Sequence, residues 1–202
     1  MKKLKMLAMV AVMGVSSALL AHAAPEIGKP APDFSLTDVN GTEYNLADLK
    51  GKVVVLEWFN HDCPFVKKHY GANNMQKLQE KYTGEGVVWL SINSSNEKDG
   101  AYRDAVATKA EGEKVDSKAT ALLLDASGTV GKAYEAKTTP HMYVINKEGI
   151  LVYNGAIDSN SSADAKTIES ATNYVTEALD AVLAGKEVET AVTKPYGCSV
   201  KY

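Results

Sequence analysis

Apolar residues follow two periods along this chain, and the switches between them predict the order of its elements. Val53-Val54-Val55-Leu56, Val87 to Ile92 and Ala121 to Leu124 are short apolar runs, as expected of strands buried on both faces. Between the first two, Phe65, Ala72, Met75, Leu78 and Tyr82 recur at helical steps, which predicts one amphipathic helix over 64–82. A second helix is expected near 99–110 and a short one near 129–134. A long one is expected over 163–183, where Ile168, Ala171, Val175, Leu179 and Val182 share a face that ends at Gly185. Two further pairs of short runs flank turn residues. Phe34 to Leu36 and Tyr44 to Leu46 bracket Asn40-Gly41, and His141 to Ile145 and Ile150 to Tyr153 bracket Asn146 to Gly149, so each pair predicts an antiparallel hairpin. Strands alternating with helices, closed by a hairpin and a helix, imply a three-layer α/β/α sandwich with a mixed central sheet and an N-terminal β-hairpin extension.

The first 23 residues stand apart from this pattern. Lys2, Lys3 and Lys5 precede an apolar stretch of about 15 residues, and Ala21-His22-Ala23 fits a small-x-small cleavage site. Residues 1–23 are therefore read as a signal peptide of a periplasmic or secreted protein, with an uncleaved anchor as the alternative. No other stretch is long enough to span a membrane. Residues 26–184 form the expected domain, and 185–202 a C-terminal tail. Loss of the leader removes three lysines and no acid, so 22 basic residues become 19 against 25 acidic ones, a formal charge of about −6. With Arg103 as the single arginine, such a chain is a poor nucleic-acid binder, because phosphate contacts need clustered Lys and Arg. Lys67-Lys68-His69 is the one basic cluster near the candidate site, and it reads as a solvated helix face.

Chemistry enters with the two cysteines, Cys63 and Cys198. Cys63 follows Trp58-Phe59-Asn60-His61-Asp62 at a strand-to-helix junction, and Pro64 suits the first helical turn. Unpaired N–H groups and the positive end of the helix dipole would favour its thiolate there. In an oxidising compartment Cys63 and Cys198 are a possible pair. They lie 135 residues apart, and a structural bridge closing that loop would stabilise by about 4–5 kcal/mol if loop entropy alone acted. The staple and the reactive pair both remain open at this point.

Four features together resemble the thioredoxin superfamily, in its redoxin, peroxiredoxin-like branch. They are Ala31-Pro32-Asp33-Phe34-Ser35-Leu36, the strand–Cys63-Pro64–helix junction, Asp125-x-x-Gly128 with Tyr134, and Thr139-Pro140 before the strand pair ending at Gly155. The resemblance implies a thioredoxin-like fold, a cis Pro140 facing the cysteine, and a Thr139 backbone that pairs with an extended peptide beside Cys63. It also exposes departures. Val66 stands where thioredoxins have their second cysteine, Asn60 where peroxiredoxins have Thr or Ser, and Leu56 where they have proline. Arg103 comes too early in the chain to be the peroxiredoxin arginine.

The leading expectation is an exported thiol–disulfide oxidoreductase with Cys63 as reactive thiol and Cys198 as resolving partner. Trp58, Asn60, His61, Asp62, Pro64, Thr139 and Pro140 are expected to shape the site. Its partners would be a protein or small-molecule disulfide and an external reductant. His61 is read either as a proton shuttle or as a plain loop residue, His69 as surface, and His141 as turned away from the thiol. Thiol peroxidase activity is the alternative, though the absent Thr and Arg argue against a fast one. A copper-binding module built on Cys63, Cys198, His61, His141 and Met142 is a weaker reading, since no ligand spacing supports it. Met75, Tyr82 and Trp89 are expected in the core. No Gly-rich phosphate loop occurs, so no nucleotide, haem or flavin cofactor is expected.

Overall fold

The apolar runs become the centre of a seven-stranded sheet in the computed structural model, which describes residues 24–202. The leader expected over 1–23 lies outside the described residues. Strands β1 (Ser35–Asp38), β2 (Glu43–Asn45), β3 (Val54–Trp58), β4 (Val88–Asn93), β5 (Ala121–Leu124), β7 (His141–Ile145) and β8 (Leu151–Gly155) lie in the order β2-β1-β5-β4-β3-β7-β8. The pairs β3–β4 and β4–β5 are parallel, while β3–β7, β7–β8, β1–β5 and β1–β2 are antiparallel. The N-terminal hairpin is thus continuous with the main sheet.

Every residue of β3, β4 and β7 is buried, Glu57, Ser91, Asn93 and His141 included, which is why apolar residues dominate these strands on both faces. One sheet face is covered by α1 (Pro64–Gly71), α2 (Asn74–Gly84) and α5 (Tyr174–Leu183), which supply Val66, Tyr70, Met75, Leu78, Tyr82, Val175 and Leu179. The other face packs Phe34, Leu46, Val130 and Tyr134, the last two on or just after α4 (Thr129–Ala133). Met75, Tyr82 and Trp89 have no exposed surface. Among the described residues no helix is long and apolar enough to cross a membrane.

Three helix expectations need correction. The helix expected over 64–82 is two, because Asn73 adopts a left-handed conformation (φ 55°) that ends the first. The Tyr70 carbonyl at the break accepts from Asn73 N at 3.1 Å and from Gln76 Nε2 at 2.9 Å. The helix expected at 99–110 is α3 (Ala105–Lys114), since the Asp99 side chain ties up the Ala101 N–H in a turn and Asp104 accepts from Ala107 N at 2.8 Å as N-cap. The long helix expected over 163–183 begins only at Tyr174, capped by Asn173, which accepts from Thr176 N at 2.9 Å. Ile168 and Ala171 precede it, in a stretch where Asp164 and Ser159 side chains accept from the backbone instead. At the first place a left-handed residue ends the helix, and at the other two short polar side chains take up backbone N–H groups.

Residues 185–202 run back across the domain. Asn154 N donates to Ala191 O and Thr193 N to Asn154 O, at 3.0 and 3.1 Å, which fastens this segment along β8. Beyond it, β9 (Cys198–Ser199) pairs antiparallel with β6 (Thr138–Thr139), Thr139 opposite Cys198.

Candidate functional site

Cys63 is the N-cap of α1 and Pro64 its first helical residue, as the junction predicts. The loop before it is held by Asn60, whose carbonyl accepts from Cys63 N at 3.1 Å and whose Oδ1 accepts from Asp62 N at 2.9 Å. Asn60 therefore spends its polar atoms shaping the turn. The Thr139–Pro140 bond is cis, and the Cys63 thiol donates to the Thr139 carbonyl at 3.0 Å. Because Cys198 is the strand partner of Thr139, the same carbonyl region gathers both sulfurs, and both cysteines are free thiols.

The two thiols are driven apart in acidity. Burial pushes Cys63 up, but the Cys198 thiol, the Thr139 side chain and the backbone N–H groups of Val66 and Cys198 outweigh it, so its pKa lies below the usual thiol value. The Thr139 hydroxyl is buried with no hydrogen-bond partner among the described residues, leaving it free to donate to a thiolate. Burial and the neighbouring Cys63 push Cys198 up to about 11. Of the two thiols Cys63 is therefore the more readily ionised, while Cys198 keeps its proton.

Beneath the site lies Glu57 on β3, fully buried. Tyr70 Oη donates to its Oε1, and Gln79 Nε2, Trp89 Nε1 and Ser91 Oγ donate to its Oε2, at 2.8–3.1 Å. Burial holds its carboxyl above the usual range despite those donors. Sequence reasoning missed Glu57, although a lone acid between Leu56 and Trp58 in an apolar strand was the available signal.

The remaining expected residues separate. Trp58 packs against Tyr134 and Tyr143 in the core cluster on the sheet face away from Cys63, and its Nε1 donates to Ser94 Oγ at 3.0 Å. His61 is half-buried with its ring 6.3 Å from that of Phe59, and among the described residues no hydrogen bond ties it to the thiol. His141 bonds Asn154 Oδ1 at 2.8 Å and accepts from Lys137 N at 3.2 Å, and among the described residues no hydrogen bond ties it to either sulfur. Arg103 does reach the cysteine loop, donating to Asp62 Oδ2 at 2.7 Å. It can do so because β3 and β4 are parallel neighbours, so the loops that follow them leave the same end of the sheet. It also donates to Glu111 at 2.8 Å and to the Gly100 and Tyr102 carbonyls. Among the described residues no three His, Cys, Asp or Glu side chains converge to hold a metal ion.

The largest departure from expectation concerns Lys68 and His69. The sequence pattern puts both at the surface, yet they are 3% and 0% exposed. The break after α1 turns this face inward, against Asp158 and the 185–202 segment. Lys68 Nζ donates to Asn160 O at 2.9 Å and lies 3.6 Å from Asp158 Oδ2. Tyr196 Oη donates to Asp158 Oδ1 at 2.5 Å and lies 3.1 Å from His69 Nε2, while the Tyr196 ring stacks edge-on against Phe65. A buried polar cluster thus clamps the segment that carries Cys198.

This burial has a pH consequence. Burial holds His69 down to about 4 against the pull of Asp158, and holds His141 down to about 4 as well. A folded chain that binds fewer protons than the unfolded one is fully stabilised above the unfolded histidine value of 6.5 and loses stability as pH falls towards 4. Urea unfolding at about pH 7 and about pH 4.5 should show this loss, and His69→Gln should shrink it by ~1–3 kcal/mol. An unchanged difference would mean that His69 titrates normally.

Comparison with known proteins places this geometry in context. The AhpC/TSA family model matches residues 27–154. Thiol-disulfide oxidoreductase ResA of Bacillus thuringiensis is 31% identical over 127 residues, covering 63% of this chain and 68% of that protein. The crystal structure of a hypothetical protein from Sinorhizobium meliloti superposes with a TM-score of 0.74 at 28% identity, over 89% of this chain and 96% of that one. The thioredoxin domain of a thiol-disulfide oxidoreductase from Bacteroides vulgatus, 20% identical, gives a TM-score of 0.52 over 73% of this chain and 98% of that one. The fold is therefore thioredoxin-like.

Proposed function

Because the chain belongs to the AhpC/TSA family, whose fold here sets a thiol of lowered pKa against a second thiol, we propose that it is a thiol–disulfide oxidoreductase. Cys63 opens the substrate disulfide and Cys198 resolves the intermediate. The observation that carries this reading is the register of Cys198 opposite Thr139, whose carbonyl accepts the Cys63 thiol at 3.0 Å. The name of the ResA relatives supports the same reaction class.

The Cys63 thiolate attacks one sulfur of the substrate disulfide, that bond breaks, and the other substrate sulfur leaves as a thiolate that takes up a proton. Once Cys63 is in the mixed disulfide it no longer carries the charge that helps raise Cys198. Cys198 then ionises more readily and attacks Cys63 Sγ, releasing the second substrate sulfur and leaving a Cys63–Cys198 disulfide. The substrate has gained two electrons, and an external dithiol must return the chain to its reduced form. Asp62 and Arg103 brace the loop, and Asn60 sets the backbone of the nucleophile. Export through the 1–23 leader fits an oxidising workplace, the periplasm or the outside of the cell. Peroxide reduction fits less well, because Asn60 and Arg103 are both committed to Asp62, and peroxide consumption is expected to be slow.

The test is Cys198→Ser. It should let a mixed disulfide between Cys63 and a substrate accumulate, visible by mass, where the wild type shows almost none. Turnover as fast as wild type would remove Cys198 from the cycle and assign resolution to an outside thiol.

A further inference from the structure

The proposed nucleophile is only 2% exposed, and part of what covers it is the chain's own 185–202 segment. That segment is seated with care. Gly197 has φ 141°, and a Cβ there would collide with the Thr139 carbonyl, so only glycine allows the strand this close to the cysteine. Tyr196 is clamped by Phe65, His69 and Asp158 on one side of the strand. On the other side Val200 N donates to Lys137 O at 3.1 Å and Asn96 N to Lys201 O at 2.7 Å. Tyr202 Oη donates to Ala136 O at 2.7 Å, and its ring lies over Gly128 and Gly131, where an added Cβ would meet ring atoms at 2.6 Å.

Together these contacts hold an extended, cysteine-bearing strand antiparallel to Thr138–Thr139. We infer that this backbone edge is one seat used alternately by two strands, the chain's own 198–199 strand and an extended cysteine-bearing segment of a substrate protein with glycine just before its cysteine. The inference rests on the proposed exchange reaction and adds its substrate class and its gate. With the segment docked, no second strand can pair at Thr139, so the segment lifts to admit substrate. Its return delivers Cys198 to the mixed disulfide and displaces the product strand, making resolution and product release one event.

The probe is a peptide of the chain's own sequence, Lys-Pro-Tyr-Gly-Cys-Ser-Val, its cysteine joined by a disulfide to a chromogenic aromatic thiol. Attack by Cys63 on the peptide sulfur breaks that bond, and the released aromatic thiolate is read by absorbance. All proteins carry Cys198→Ser, so only Cys63 reports. Tyr202→Ala, which removes an anchor, and separately Gly197→Val, which blocks docking, should each raise the rate about tenfold, equivalent to ~1.4 kcal/mol. A peptide with valine in place of glycine should react at least about tenfold more slowly with both loosened variants. Equal rates in held and loosened proteins would overturn the gate, and equal rates for the two peptides would overturn pairing at Thr139. Failure of every variant to react with either peptide or with glutathione disulfide would instead overturn the exchange chemistry itself.

Discussion

Replacing Cys63 with serine is expected to lower the rate of disulfide exchange at least about a thousandfold, ~4 kcal/mol in activation free energy. A serine hydroxyl does not ionise near neutrality and cannot enter a disulfide, so the loss is of the reacting atom itself. The rest of the site should persist. Serine is close to cysteine in size, and its hydroxyl can donate to the Thr139 carbonyl as the thiol does. Reduction of a model disulfide, followed alongside an unfolding curve, separates lost chemistry from lost fold. Exchange at the wild-type rate in a folded Cys63→Ser protein would transfer the chemistry to Cys198, a poorer choice with its pKa pushed up to about 11.

The second large effect concerns stability. Asp158→Ala is expected to cost about 3–5 kcal/mol, because it leaves the Lys68 ammonium buried without its counter-ion. Lys68 and Asp158 are each 3% exposed, so little water reaches either to compensate. The same change takes the acceptor from Tyr196 Oη and so weakens the hold on the segment carrying Cys198. Adding Lys68→Met to Asp158→Ala should recover part of the loss, since an apolar side chain of similar length needs no partner there. Denaturant unfolding of the single and double variants checks both statements. A single-variant loss below ~1 kcal/mol would mean that the ammonium finds water or relies on the Asn160 carbonyl alone.

Much of this molecule could be read before its structure was known. Three apolar runs announced the central strands because strands covered on both faces leave few polar positions, and those few, such as Glu57 and Ser91, must find partners inside. The junction of Val54–Trp58 with Pro64 placed Cys63 at a helix start because proline tolerates that position and few others within a helix. Helix limits were harder. The periods over 64–82 and 163–183 ignore Asn73, Asp164 and Asn173, whose side chains or left-handed backbones redirect the chain over one or two residues. A period averaged over a helix does not register so local a competition.

Site membership divided in the same way. The sequence by itself determined the fold class and the seat of Cys63 at a strand-to-helix junction, because these follow from local pattern and residue identity. Tertiary structure alone decided which distant groups meet. It turned Lys68 and His69 inward to grip Asp158 and Tyr196, brought Arg103 to Asp62 across parallel strands, and laid Gly197-Cys198 on the Thr139 edge. Residues 127 positions apart, such as His69 and Tyr196, carry no mark in either local stretch that they will touch. Their burial arises only when the 185–202 segment folds back over α1, a path set by hydrogen bonds to Asn154 and by the absence of a side chain at Gly197.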